Sequence, residues 1–191
     1  DEMLAPRPRT EADTRRQIGE YYAMITHADA QMGRVLEKLK ETGEYENTIL
    51  VFAGDNGLAV GRHGLFGKQS LYEHSIRVPL VMAGPGIPKD EKRDAFAYLL
   101  DIYPTLCELL GLGVPDSVDG KSLVPAMSDP EEKIRDTFHY AYRSLHRGVR
   151  DRRHKLIEYV VEGARTTQLF DLENDPHEMT NLFDDPSRSA L

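Results

Sequence analysis

Asp55, Asn56, His63 and Lys68 lie within one short glycine-rich stretch, and their types suit the binding of a metal ion and an anion. A carboxylate beside an amide carbonyl offers two hard oxygen donors, which favour calcium or magnesium. The lysine downstream supplies a point charge for an anion. Gly54, Gly57, Gly61, Gly64 and Gly67 punctuate the stretch, five glycines in fourteen positions, and allow close backbone approach to a ligand. Taken singly, each piece has a plainer reading. Asp-Asn-Gly is a common turn, a lone histidine is more often a hydrogen-bonded loop residue, and a lone lysine is usually solvated surface. Together, at the end of an apolar strand, they point to a site for a metal-bound anion, because open α/β sheets place ligands at that edge.

The strand that must carry this cluster is Thr48-Ile49-Leu50-Val51-Phe52-Ala53, apolar and β-branched enough to be buried on both faces. A second such run, Val78 to Ala83, ends in Gly84-Pro85-Gly86, and Ala95 to Leu100 is a third candidate. Before them the spacing predicts a helix from about Thr10 to Thr42, opened by a capping box of Thr10 and Asp13 and closed by Gly43. Ile18, Tyr22, Ile25, Met32, Leu36 and Leu39 form its apolar stripe, with Asp29 at the edge and His27 off it. A shorter helix is expected from Ile102 to Leu110, closed by Gly111. The texture changes near Ser128-Asp129-Pro130. Thr137–Tyr142, Arg147–Arg150, Lys155–Val161 and Gln168–Leu172 read as short strands of a small antiparallel sheet, followed by a helical turn near Glu178.

Composition excludes several classes. The 191 residues, 40% of them apolar and 29% charged, suit a folded globular chain. A net charge of -8 argues against nucleic acid as a partner, since such binding needs a basic face. No apolar run approaches the roughly 20 residues of a membrane span. The single Cys107 excludes an intrachain disulfide and any multi-cysteine zinc site. The Pro-flanked opening, without methionine or a basic-then-apolar leader, reads as a segment of a longer chain, and the C-terminus has no evident stop.

The stretch Thr48 to Gly57, then Gly61-Arg62-His63-Gly64-Leu65-Phe66-Gly67-Lys68, then Leu71 to Leu80, closely resembles the type I, formylglycine-dependent sulfatases of the alkaline phosphatase superfamily. Tyr21-Tyr22-Ala23 and Gly33 to Leu36 upstream are similar to the family's preceding helix. Downstream, Asp101 to Leu106, Asp119 to Leu123, Lys155-Leu156-Ile157 and Leu169 to Pro176 also match, in order. The resemblance implies a fold: residues 1–128 as the C-terminal portion of an alkaline-phosphatase-like α/β sandwich, and 129–191 as a small antiparallel-sheet subdomain. It implies roles as well. Asp55 and Asn56 match the second pair of metal ligands, for calcium in most relatives with magnesium the alternative. Lys68 matches the catalytic lysine that binds the sulfate, and His63 a histidine at the mouth of the site that contacts substrate. Arg62 stands where an acidic residue is common, a departure that bears on substrate preference.

By resemblance the reaction is sulfate-ester hydrolysis, with a sulfated small molecule or carbohydrate as substrate and an exported or lysosomal location. The Cys/Ser-x-Pro-x-Arg motif that yields formylglycine is absent, and Cys107, followed by Glu108-Leu109-Leu110, reads as a core residue. The missing N-terminal half of the catalytic domain is therefore an expected partner, and the chain alone is expected to be inactive. The rival readings are a phosphodiester or phosphonate hydrolase of the same superfamily and a non-catalytic fragment that binds sulfated sugars.

Overall fold

The helix that opens the chain, α1 (Glu11–Glu41), begins where the sequence signals it. Thr10 accepts from the Asp13 N–H at 3.1 Å and donates its hydroxyl to the Asp13 carboxylate at 2.6 Å. At the far end Gly43 takes a φ of 76°, and the N–H groups of Gly43 and Glu44 reach back to the carbonyls of Lys40 and Leu39. These are the paired bonds of a Schellman cap, which stop the helix and satisfy its last carbonyls. The computed structural model describes residues 2–5 and 7–188 and falls into two compact units.

The first unit holds the chain up to Lys68 together with 77–85. Besides α1 it contains β1 (Leu50–Ala53) and β2 (Leu80–Ala83), paired antiparallel with Leu50 opposite Ala83 and Phe52 opposite Val81. Two expectations fail here. No residue of α1 is buried, and Tyr22, Ile25 and Met32 of the expected stripe are exposed. The strands, expected to be buried on both faces, present one open face, where Phe52 and Val81 are 47% and 58% exposed. Periodicity identifies which side of an element is apolar, but burial needs a second layer over that side.

The second unit holds 69–76 and everything from Gly86 onward. It contains α2 (Glu73–Ile76), α3 (Ile102–Leu109), α4 (Val124–Ser128) and an antiparallel meander of β3 (Phe138–Tyr142), β4 (His146–Arg150), β5 (His154–Val161) and β6 (Ala164–Asp171). The expected mixed α/β class with a small C-terminal antiparallel sheet is observed. The third strand expected at Ala95–Leu100 does not form. Buried Asp101 takes the Tyr98 N–H at 2.7 Å, and a 3-10 turn over Leu99–Asp101 leads into α3 instead. Arg135 fixes that carboxylate from the other side, its two terminal nitrogens 2.5 and 2.8 Å from the two oxygens.

Leu71, Ile157 and Phe170 form the core of the sheet's inner face, with Tyr72, Ile76, Tyr140, Tyr142, Tyr159 and Leu172 around them. Leu71 can lie flat on β4 because residue 148 is glycine, where a Cβ would come within 3.2 Å of the Leu71 Cδ1.

Candidate functional site

β1 delivers the chain to Gly54, whose N–H bonds the Pro79 carbonyl at 3.1 Å, so the strand pairing holds right up to Asp55. Asp55 and Asn56 follow in a bend and are exposed. The glycine-rich stretch then closes on itself. Ala59 N–H donates to the Gly67 carbonyl at 2.8 Å, and Gly61 N–H donates to Leu65 at 2.7 Å. A tight turn, Arg62–Gly64, forms the tip, with His63 in the left-handed region at φ 52°. The first bond is the neck of the loop. It brings Gly67, the residue before Lys68, back beside Ala59, which lies just past Asp55 and Asn56. Lys68 leaves the neck exposed to solvent, and His63 is half-buried at the tip.

The donor set suits a divalent ion in part. Asp55 and Asn56 offer accessible hard oxygens on a strand end, which fits calcium or magnesium. Among the described residues no group of three or more His, Cys, Asp or Glu side chains is placed to hold a metal, so these two contribute only part of a coordination shell. Cys107 is buried in α3, as expected of a core residue.

Directly after Lys68 the chain enters the second unit, where an ionic cluster holds it. Glu73, on α2, receives Lys155 at 3.0 Å on one oxygen and Arg150 at 2.8 Å on the other. Lys155 is fully buried, and its ammonium also lies 2.7 Å from Glu178 Oε1, an ion pair outside hydrogen-bond geometry. The second Glu178 oxygen accepts the Glu73 backbone N–H at 2.7 Å. Burial alone would raise the Glu73 pKa, but Lys155 and Arg150 outweigh it and hold the carboxyl below its usual range. Tyr140, beside the cluster, is pushed up by burial.

Sequence reasoning missed this cluster. The sequence pattern places only a helical turn near Glu178 and marks no role for Glu73. No helix forms there: Glu178 takes a φ of 58° and sends a buried carboxylate to Lys155. The available signal was Lys155 itself, a lysine at an inward position of an apolar strand, which demands acidic partners.

Two sulfatase families match the chain: Sulfatase over residues 5–112, and N-sulphoglucosamine sulphohydrolase, C-terminal, over residues 61–191. The chain belongs to the sulfatase family. Arylsulfatase K of Bos taurus is 32% identical over 185 residues, covering 91% of this chain and 34% of the relative. The choline-sulfatase of Rhizobium meliloti is 34% identical over 180 residues, covering 93% of this chain and 35% of its own length. This sulfatase chain thus spans about a third of the length of the curated relatives it matches. Among solved structures, that of BT4656 in complex with its substrate D-glucosamine-2-N,6-O-disulfate aligns with a TM-score of 0.86 and 28% identity, over 98% of this chain and 40% of that one. The phosphonate monoester hydrolase of Agrobacterium radiobacter aligns with a TM-score of 0.83 and 31% identity, over 96% and 40%.

Proposed function

We propose that this chain is part of a sulfate-ester hydrolase, to which it contributes Lys68 as the sulfate-binding catalytic residue, His63 as a substrate contact, and Asp55 and Asn56 as metal ligands. The observation that carries the reading is the neck of the loop. The Ala59–Gly67 bond sets the residue before Lys68 beside the segment that follows Asp55-Asn56, at the end of β1. Cleaving a sulfate ester builds negative charge on the leaving oxygen and keeps it on the sulfuryl oxygens. A lysine held on a closed loop opposes that charge without having to reorganise. A calcium ion, when bound, would supply further electrophilic stabilisation of the sulfate group.

The formylglycine nucleophile is proposed to lie in a part of the protein beyond this chain, and the chain alone to be inactive. The same missing part would cover the open apolar face at Phe52 and Val81 and the exposed side of α1. The substrate class proposed is a sulfated carbohydrate, supported by the disulfated glucosamine held by the BT4656 structure. An exported or lysosomal compartment is proposed on the family resemblance. Among the described residues no helix is long and apolar enough to cross a membrane.

A second reading, phosphonate monoester hydrolysis, is favoured by the Agrobacterium radiobacter structure. Steady-state kinetics of the full-length protein on an aryl sulfate and an aryl phosphonate separate the two. The sulfatase reading expects the larger kcat/KM on the sulfate, and a loss of about 100- to 1,000-fold there in Lys68→Ala. A preference for the phosphonate would establish the second reading. A folded protein that binds the sulfated sugar and turns over neither ester would make the chain part of a binding module.

A further inference from the structure

Within the first unit, the segment before α1 reaches the Lys68 loop through one carboxylate. Glu2 accepts the Phe66 N–H at 2.7 Å on one oxygen and the Gly67 N–H on the other. Arg9 pairs with that carboxylate at 2.9 Å, donates to the Glu2 carbonyl at 2.9 Å and to the Gly64 carbonyl, and lies over the Phe66 ring at 5.2 Å. Neither side chain behaves as a surface charge, with 14% of Glu2 and 10% of Arg9 exposed. Gly67 is sterically committed to this arrangement, because a Cβ there would lie 2.5 Å from the Glu2 oxygen and 2.7 Å from Leu4.

We propose that Glu2 and Arg9 are positioning residues for Lys68, an inference that rests on reading Lys68 as the sulfate-binding group. Gly67 is held on both sides of its peptide: its N–H by Glu2 and its carbonyl by Ala59. Lys68 is the next residue, so the direction in which its Cα leaves the neck is set by those two bonds. A carboxylate is the strongest neutral-pH acceptor for two adjacent amides. Placed so near an anion site it would repel the substrate, and Arg9 removes that cost by neutralising it. The brace therefore stiffens the loop without subtracting from the positive field of Lys68.

The test uses the full-length protein with Glu2→Gln, which keeps the shape but replaces one acceptor oxygen by an NH2 donor facing an amide. Amide hydrogen exchange at Phe66 and Gly67 should accelerate about tenfold, with α1 and the β1–β2 pair unchanged. On a sulfate ester KM should rise about tenfold and kcat fall less, and Arg9→Ala should reproduce both effects. In a Lys68→Ala background Glu2→Gln should lose most of its effect on KM, because the Gly67 peptide it holds leads directly into that lysine. Unchanged exchange at Phe66 and Gly67 in either brace variant would overturn the proposal, as would faster exchange with unaltered KM. An equal further loss in the Lys68→Ala background would also overturn it. If Lys68→Ala itself leaves turnover intact, the sulfate-binding reading fails, while the exchange result still reports on the brace.

Discussion

Glu73 and Lys155, 82 positions apart in the sequence, meet at 3.0 Å inside the second unit. One partner belongs to the stretch that follows the Lys68 loop, and the other to a strand of the C-terminal sheet. Lys155 is shared between two carboxylates, and Glu73 between two cations. Such a buried cluster is a poor source of net stability but fragile to the loss of a member, since the charges left behind stay buried with part or all of their compensation gone. Lys155→Met should therefore destabilise the protein by about 3–5 kcal/mol, leaving two adjacent acids inside. The exposed Arg16–Glu20 pair on α1 should cost under about 1 kcal/mol when Arg16 is replaced by alanine. Urea denaturation of both variants measures the contrast, and equal losses would show that burial is not what makes the cluster matter.

Acid should weaken the fold in two stages. Burial between Tyr142 and Tyr159 lowers the His146 pKa, and its Nδ1 is buried without a hydrogen-bond partner among the described residues. A histidine with a depressed folded pKa is neutral in both states above its unfolded value, about 6.5, and loses stability as pH falls from there toward the folded value. Glu73 and Asp171 are depressed carboxylates, the latter chiefly by its hydrogen bonds from Arg153. Their contribution is whole above the unfolded carboxylate range, about pH 4, and is lost as pH drops through their folded values. Denaturation midpoints between pH 7 and pH 3 should show both falls. His146→Phe should flatten the upper one and leave the lower one in place.

Gly84 carries a prediction about the first unit. Its φ is 134°, and a Cβ there would lie 2.5 Å from the Thr48 carbonyl oxygen, a backbone atom that cannot rotate away. Gly84→Ala should therefore push β2 off β1 and cost at least about 1–3 kcal/mol. Faster amide exchange along Leu50–Ala53 would register it, while exchange in the second unit should stay as it was.

What was legible in the sequence follows from what local rules encode. The α1 caps were readable because Thr10, Asp13 and Gly43 act on their own backbone neighbours. The Asp55-to-Lys68 stretch stands out in the sequence because its residues lie within one loop, which the Ala59–Gly67 bond closes. The start of β6 was not: it begins at Ala164, well before Gln168, because Glu162 and Gly163, at φ 51° and 82°, make a tight hairpin turn that returns β5 directly. The role of Glu178 was also hidden, since it depends on where Lys155 lies in three dimensions. The exposure of Phe52 and Tyr22 was hidden for the converse reason, because apolar character does not name the layer that covers it.

The last prediction concerns metal affinity and follows from the proposed ligands Asp55 and Asn56. Calcium takes about six to eight oxygen ligands, and Asp55 with Asn56 offers at most about three. Among the described residues no third acidic or imidazole group joins them, so water would have to fill the remaining positions. With one carboxylate opposing two positive charges, the ion should bind this chain weakly, at about millimolar calcium or above, by the trend that affinity follows ligand charge and rigidity. The full-length protein should bind far more tightly, and there Asp55→Ala should abolish turnover with little change in thermal midpoint. Asp55 is exposed, so its replacement removes no packing contact. Calorimetric titration of the 191-residue chain and of the full-length protein, each with and without Asp55→Ala, measures all four affinities. Micromolar binding by the chain alone that survives Asp55→Ala would place the metal on other residues.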